Sequence, residues 1–158
     1  MIQILKDSDT RPWFFLQTAH TTYGMWVMET GHLEHLYYGE RITVDSQDPS
    51  SCAPLVIQRA FAPGNTCTYD REHPQISMED VCLEVGTLGK GDIREPFLEV
   101  RFADGSVTSD FTFDSYEIIT LKEREQCLQD SGLPHSYSEA ETDSAECLQI
   151  ILQDVMNH

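Results

Sequence analysis

The sequence predicts an all-β fold, an antiparallel sandwich with one short helical segment. Three observations carry this expectation. Apolar residues recur at period two over several short stretches, turn-forming pairs separate those stretches, and no long stretch keeps a helical period. Short strands joined by turns bury their apolar faces best as two facing antiparallel layers.

In chain order, strands are expected over 13–17, 23–29 and 33–38. Thr30-Gly31 separates the last two as a hairpin turn. A further strand is read over 55–59. The stretch 77–86 is ambiguous: Ser77 and Asp80 form a capping-box pattern, yet Val81, Leu83 and Val85 alternate, so a turn followed by a strand is expected. The strongest local signal lies at 96–113. Leu98, Val100 and Phe102 alternate with polar neighbours, Asp104-Gly105 supplies a turn that tolerates positive φ, and Phe111 and Phe113 follow. That pattern predicts a β-hairpin. Residues 122–130 read as the helical segment, closed by Gly132 and Pro134. A last strand is expected over 147–153. It leaves an exposed edge unless it pairs with an earlier strand or the natural sequence continues.

The 158 residues suffice for one domain at about 100–200 residues each. A net charge of -17 repels phosphate backbones and anionic lipid, which argues against nucleic-acid and membrane-surface partners. No apolar run approaches the ~18 residues of a membrane span. The stretch from Met1 to Asp9 is broken by Gln3, Lys6 and Asp7 and is no signal-peptide core. Five cysteines without a C-x-x-C pair suggest neither a disulfide framework nor a zinc ribbon, and fit reduced thiols in the cytoplasm.

Chemical motifs are sparse. His32 and His35 have a metal-like spacing, but on a strand they point to opposite faces, so no metal site is expected. No Ser-His-Asp or Cys-His order, G-x-S-x-G, Walker or EF-hand pattern occurs, and Gly89-x-Gly91 is too short for a dinucleotide loop. Trp13, Trp26, Tyr37 and Tyr38 could stack on sugar rings. At strand spacing the stronger reading is core or subunit interface.

Several segments in order resemble one family. Gly31-His32-Leu33-Glu34-His35-Leu36-Tyr37-Tyr38-Gly39, Asp70-Arg71-Glu72-His73-Pro74, Ser77-x-x-Asp80 and Gly89-Lys90-Gly91-Asp92-Ile93-Arg94-Glu95-Pro96 come first. Asp104-Gly105-Ser106, Gly132-Leu133-Pro134 and Leu148-x-Ile150-x-Leu152 follow. Together they are similar to the N-terminal domain of glycoside hydrolase family 36 α-galactosidases. The sequence departs from the family after Ile118, where Leu121-Lys122-Glu123 replaces a Gly-Lys-Pro-like turn.

The resemblance implies a supersandwich-like β-domain over 1–158, incomplete at this length. It also implies an enzyme that hydrolyses terminal α-galactosides of oligosaccharides with retention. That chemistry needs two carboxyl groups about 5–5.5 Å apart. In the family both lie in a following (β/α)8 barrel, the nucleophile in a Lys-Trp-Asp motif. Here Trp13 precedes Phe14 and Trp26 precedes Val27, and a barrel of ~250 residues does not fit. No catalytic residue, cofactor or metal is therefore expected in this chain. The family further implies homo-oligomers in which an N-terminal loop reaches a neighbour's pocket. The candidates for that contact are Arg59, Asp70 and Arg71, with a structural salt bridge as the competing reading. Two alternatives to an accessory domain are a stand-alone carbohydrate-binding module and an inert truncated remnant.

Overall fold

Trp13, Phe14 and Phe15 are consecutive and all buried. Neighbouring residues of a strand face opposite ways, so this strand must be covered on both sides. The computed structural model, which describes residues 1–46, 48–59, 68–92, 95–120, 123 and 146–155, meets that demand.

The strand carrying the three aromatics is the second of a four-stranded antiparallel sheet in the order β1 (Ile2–Lys6), β2 (Pro12–Gln17), β3 (Thr21–Val27) and β4 (Leu33–Glu40). Its turns are built from local chemistry. Asp7 accepts from the backbone N–H groups of Asp9 and Arg11, both at 2.9 Å. The Thr18 hydroxyl accepts from those of His20 and Thr21. Gly31, at φ +83°, closes the third turn with a bond from its N–H to the Met28 carbonyl. That turn starts at Met28, so β3 ends two residues before the expected 29. β1 was not expected as a strand, because its Ile2-Gln3-Ile4 alternation is short.

β5 (Thr87–Leu88) and β6 (Gly91–Asp92) form a small parallel bridge. β7 (Phe111–Thr120) and β8 (Glu146–Asp154) form a long antiparallel ribbon with nine paired positions. The ribbon lays Phe113, Tyr116, Leu148 and Ile150 on Phe14, Met25, Val27 and Leu33 of the sheet. Phe14 meets Tyr116 edge-on with ring centroids 5.2 Å apart. On the opposite face Leu5, Trp13 and Phe15 pack under Ile42, Val44, Cys52, Leu55 and Val56. Burying a Phe side chain fully contributes about 1.5–3 kcal/mol, so Phe14 and Phe15, each 0% exposed, anchor one core apiece. The expected antiparallel all-β sandwich is thus present, and a wrapped segment backs its larger sheet.

Three local expectations change. Residues 55–59 are not a strand. A 3-10 helix runs over Pro49–Leu55, started by Asp48, whose side chain accepts from the Ser50 N–H. The stretch 77–86 opens as the 3-10 turn Met78–Asp80, without a capping bond from the Ser77 side chain. It then lies along β4, with His35 N–H to Cys82 O at 2.8 Å and Glu84 N–H to Leu33 O at 2.9 Å. The hairpin read over 96–113 forms only its turn. Gly105 has φ +88° and its N–H bonds to Phe102 O. Beyond the bond from Phe102 N–H to Ser106 O, the flanks do not pair with each other: Leu98 bridges Thr87, and Phe111 begins the strand that pairs with β8. The distant strand offers a longer apolar ladder than the near one. The helical segment expected at 122–130 lies outside the described residues, apart from Glu123, which is helical.

Candidate functional site

The strand register places Trp26 opposite Glu34 on the face away from the ribbon. The Trp26 indole Nε1–H donates to Glu34 Oε2 at 2.8 Å. Arg59 supplies the countercharge: Nη1 donates to Oε2 at 3.3 Å and Nη2 to Oε1. Its Nη2 also donates to Asp80 O at 3.0 Å. Glu34 is 1% exposed, and a carboxylate so buried is tolerated only when paired and hydrogen-bonded. Arg59, an expected sugar contact, therefore ties its own segment and the 78–80 turn to the sheet.

Beside this pair lies an open cleft of about 220 Å³, lined among others by Arg11, Trp26, Glu29, Ile57, Arg59 and Gln75. Its aromatic wall is already covered. Arg11, held by Asp7 and Asp9, sits 5.8 Å from the Trp26 ring centroid, and Trp13 lies against the ring at 4.9 Å.

The other two expected residues sit on the loop 68–77. Tyr69 N–H bonds to Ile76 O at 2.8 Å and Thr68 bridges Ser77, which closes the loop at its base. At the tip Asp70 Oδ1 accepts from Glu72 N–H at 2.8 Å, His73 N–H at 2.7 Å and His73 Nδ1 at 2.9 Å. The His73 ring bond, aided by these backbone donors, holds the Asp70 carboxyl below the usual aspartate range. Asp70 thus shapes its own loop, with its side chain still 39% exposed. Arg71 is exposed and makes no ion pair among the described residues.

Below the loop lies a buried polar knot that sequence reading missed. Asp110, at the entry to β7, accepts from His32 Nε2 at 2.7 Å and from the Tyr69 hydroxyl at 3.1 Å. The Lys90 Nζ is 3.3 Å from its second oxygen. Burial pushes the Asp110 carboxyl up, but the His32 bond and the charges of His32 and Lys90 outweigh it and leave the group below its ordinary range. Burial, with the Asp110 charge, raises the Tyr69 phenol to about 12. Thr30 Oγ1 lies 2.8 Å from His32 Nδ1, so a Thr-His-Asp order exists in space. His32 is 1% exposed and the cleft described above does not reach it, so these contacts brace the fold. Nothing in the spacing of 32, 69, 90 and 110 relates them. Among the described residues no group of three or more His, Cys, Asp or Glu could hold a metal ion, and no helix is long and apolar enough to cross a membrane.

This sandwich is the architecture of the first part of α-galactosidases. It superposes on the α-galactosidase from Lactobacillus brevis with a TM-score of 0.69 and 28% identity, covering 91% of this chain and 18% of that one. The sequence matches the profile of the glycosyl hydrolase family 36 N-terminal domain over residues 31–158, and the chain belongs to that family. It is 38% identical to the bifunctional α-galactosidase/sucrose kinase AgaSK of Mediterraneibacter gnavus over 143 residues, 89% of this chain and 14% of that protein. It is 30% identical to α-galactosidase AgaA of Geobacillus stearothermophilus, across 90% of this chain and 18% of that one. Crystal structures of AgaA variants hold raffinose or stachyose. The chain thus spans less than a fifth of the length of these two relatives.

Proposed function

We propose that residues 1–158 are the N-terminal, non-catalytic domain of a retaining, cytoplasmic α-galactosidase, standing ahead of a barrel that carries both reacting carboxyl groups. The whole enzyme acts on terminal α-galactosides of oligosaccharides of the raffinose and stachyose type. This domain serves homo-oligomerisation and shapes the entrance to a neighbouring subunit's active site. Alone, the chain does not hydrolyse galactosides.

The observation that carries the reading is the division of labour at the loop 68–77. Asp70 and His73 bond to each other at its tip, while Arg71, exposed and without an ion pair among the described residues, presents its guanidinium to solvent. Five N–H donors in a planar fork suit adjacent sugar hydroxyls. Arg59, bonded to Asp80 O beside the loop, and Asp70 at its tip stand with Arg71 as the candidates for the sugar contact. The carbohydrate-binding-module alternative draws less support, because Trp13 is buried and Trp26 is flanked by Trp13 and Arg11.

The test uses the full-length enzyme encoded by the gene, whose frame should run past the His158 codon into a barrel-length segment with Lys-Trp-Asp. Arg71→Ala should raise KM for raffinose about ten-fold, the scale of one lost hydrogen bond to a charged group, and leave kcat nearly unchanged. Unchanged KM and kcat would withdraw the substrate role of Arg71. A stop at once after His158 would withdraw the enzyme.

A further inference from the structure

We infer that Tyr69 and Asp110 form a clamp that sets the orientation of the loop 68–77, and so of Arg71, by fastening it to three separate elements. The inference rests on the reading of Arg71 as the presented contact, but its own evidence is geometric.

Tyr69 precedes Asp70 directly and is held on three sides. Its hydroxyl donates to Asp110 Oδ2 at 3.1 Å, the His32 ring meets it edge-on at 4.9 Å and 88°, and the Lys90 ammonium sits 4.9 Å from its centroid. Each partner comes from a different place. His32 belongs to the turn entering β4, Lys90 to the bridge between β5 and β6, and Asp110 to the start of β7. Asp110 is itself fixed, since its backbone N–H donates to Asp154 Oδ1 at 2.9 Å at the end of β8. The clamp therefore joins sheet, ribbon and turn at one carboxylate, whose side chain is 3% exposed.

On its other side the loop rests on Ile76, buried with Met28, Met78 and Val81, and on the bond from the Gln75 amide to Glu29. The Asp70 bonds shape the tip but reach nothing beyond it. Removing the clamp leaves the tip's internal turn intact and lets the whole loop pivot about Ile76. Tyr69 and Asp110 are positioning residues; neither is assigned a contact with sugar.

Tryptic cleavage after Arg71, counted by mass spectrometry against cleavage after the exposed Arg41, reads this directly in the full-length protein. Tyr69→Phe removes only the hydroxyl. Lys90→Met removes the cation, and Lys90→Arg restores it. Both Tyr69→Phe and Lys90→Met should raise the Arg71:Arg41 ratio about ten-fold, as loss of a charge-assisted bond implies. Lys90→Arg should stay near the parent ratio. An unchanged ratio in both loosening variants overturns the clamp, as does equal acceleration at both sites, which marks general destabilisation. If Asp110→Asn fails to fold, Tyr69→Phe still decides. No sugar enters this measurement, so a failed clamp and a failed Arg71 role are distinguished: the first appears as an unchanged ratio, the second as an unchanged KM.

Discussion

Trp26 and Glu34 face each other across β3 and β4, and the indole donates to a carboxylate that water does not reach. The pair is completed by Arg59, twenty-five residues away in sequence. Glu34→Ala leaves that guanidinium, whose side chain is 11% exposed, without a countercharge. Loss of one partner of a buried pair costs about 3–5 kcal/mol, a large share of the 5–15 kcal/mol of a typical domain. Urea unfolding followed by tryptophan fluorescence should show that loss. A change below about 1 kcal/mol, the scale of an exposed pair, would mean that Arg59 has reached solvent or another acceptor.

Gly24 lies opposite Phe15 in the β2–β3 register, beside the bulge at Gly24/Met25. A Cβ at this position would stand 3.0 Å from Phe15 Cε1 and 3.1 Å from Cδ1. Phe15 is 0% exposed and has no room to yield. Gly24→Ala should therefore destabilise by about 1–3 kcal/mol through overpacking, although Ala suits a strand better than Gly. A midpoint equal to or above the parent's in chemical denaturation would contradict this.

Two phenols titrate late. The Tyr69 pKa is raised to about 12 by burial and by Asp110, and that of Tyr23 is raised by burial and by its bond to Glu84. A raised folded value means that the neutral phenol favours the folded state. Tyr69 therefore contributes stability fully below the unfolded tyrosine value of about 10. The contribution fades as pH rises through about 12. Ultraviolet titration of the folded chain should show two tyrosines still neutral at pH about 10.5, where an ordinary tyrosine is mostly ionised. Tyr23→Phe and Tyr69→Phe should each remove one late step. All six tyrosines ionising together near their ordinary value, with the fold intact, would refute both environments.

The parts of this fold legible in the sequence are those settled by neighbours. β2, β3 and β4 are rich in aromatic residues and separated by short turns, so composition and partner coincide. The Asp104-Gly105 turn was equally legible, yet it did not decide who pairs with Phe111, because β8 competes from more than thirty residues away. Residues 55–59 read as a strand by composition, while Asp48, Pro49 and Pro54 drive a 3-10 helix that ends at Leu55. At the site, the sequence pointed to Arg59, Asp70 and Arg71 but not to what they touch. Asp70 pairs within three residues, whereas the partner of Arg59 and the His32–Asp110 pair, seventy-eight residues apart, arise only when the chain folds back.

The larger sheet has spent both of its faces, one on the ribbon and one on the 42–56 wrap. Among the described residues the buried strands of that sheet offer a visiting molecule no open face, so the rim is where new specificities arise most readily. There a residue such as Arg71 can be exchanged without disturbing a single core contact. Selection can therefore retune what such a domain greets while the architecture that carries it stays untouched.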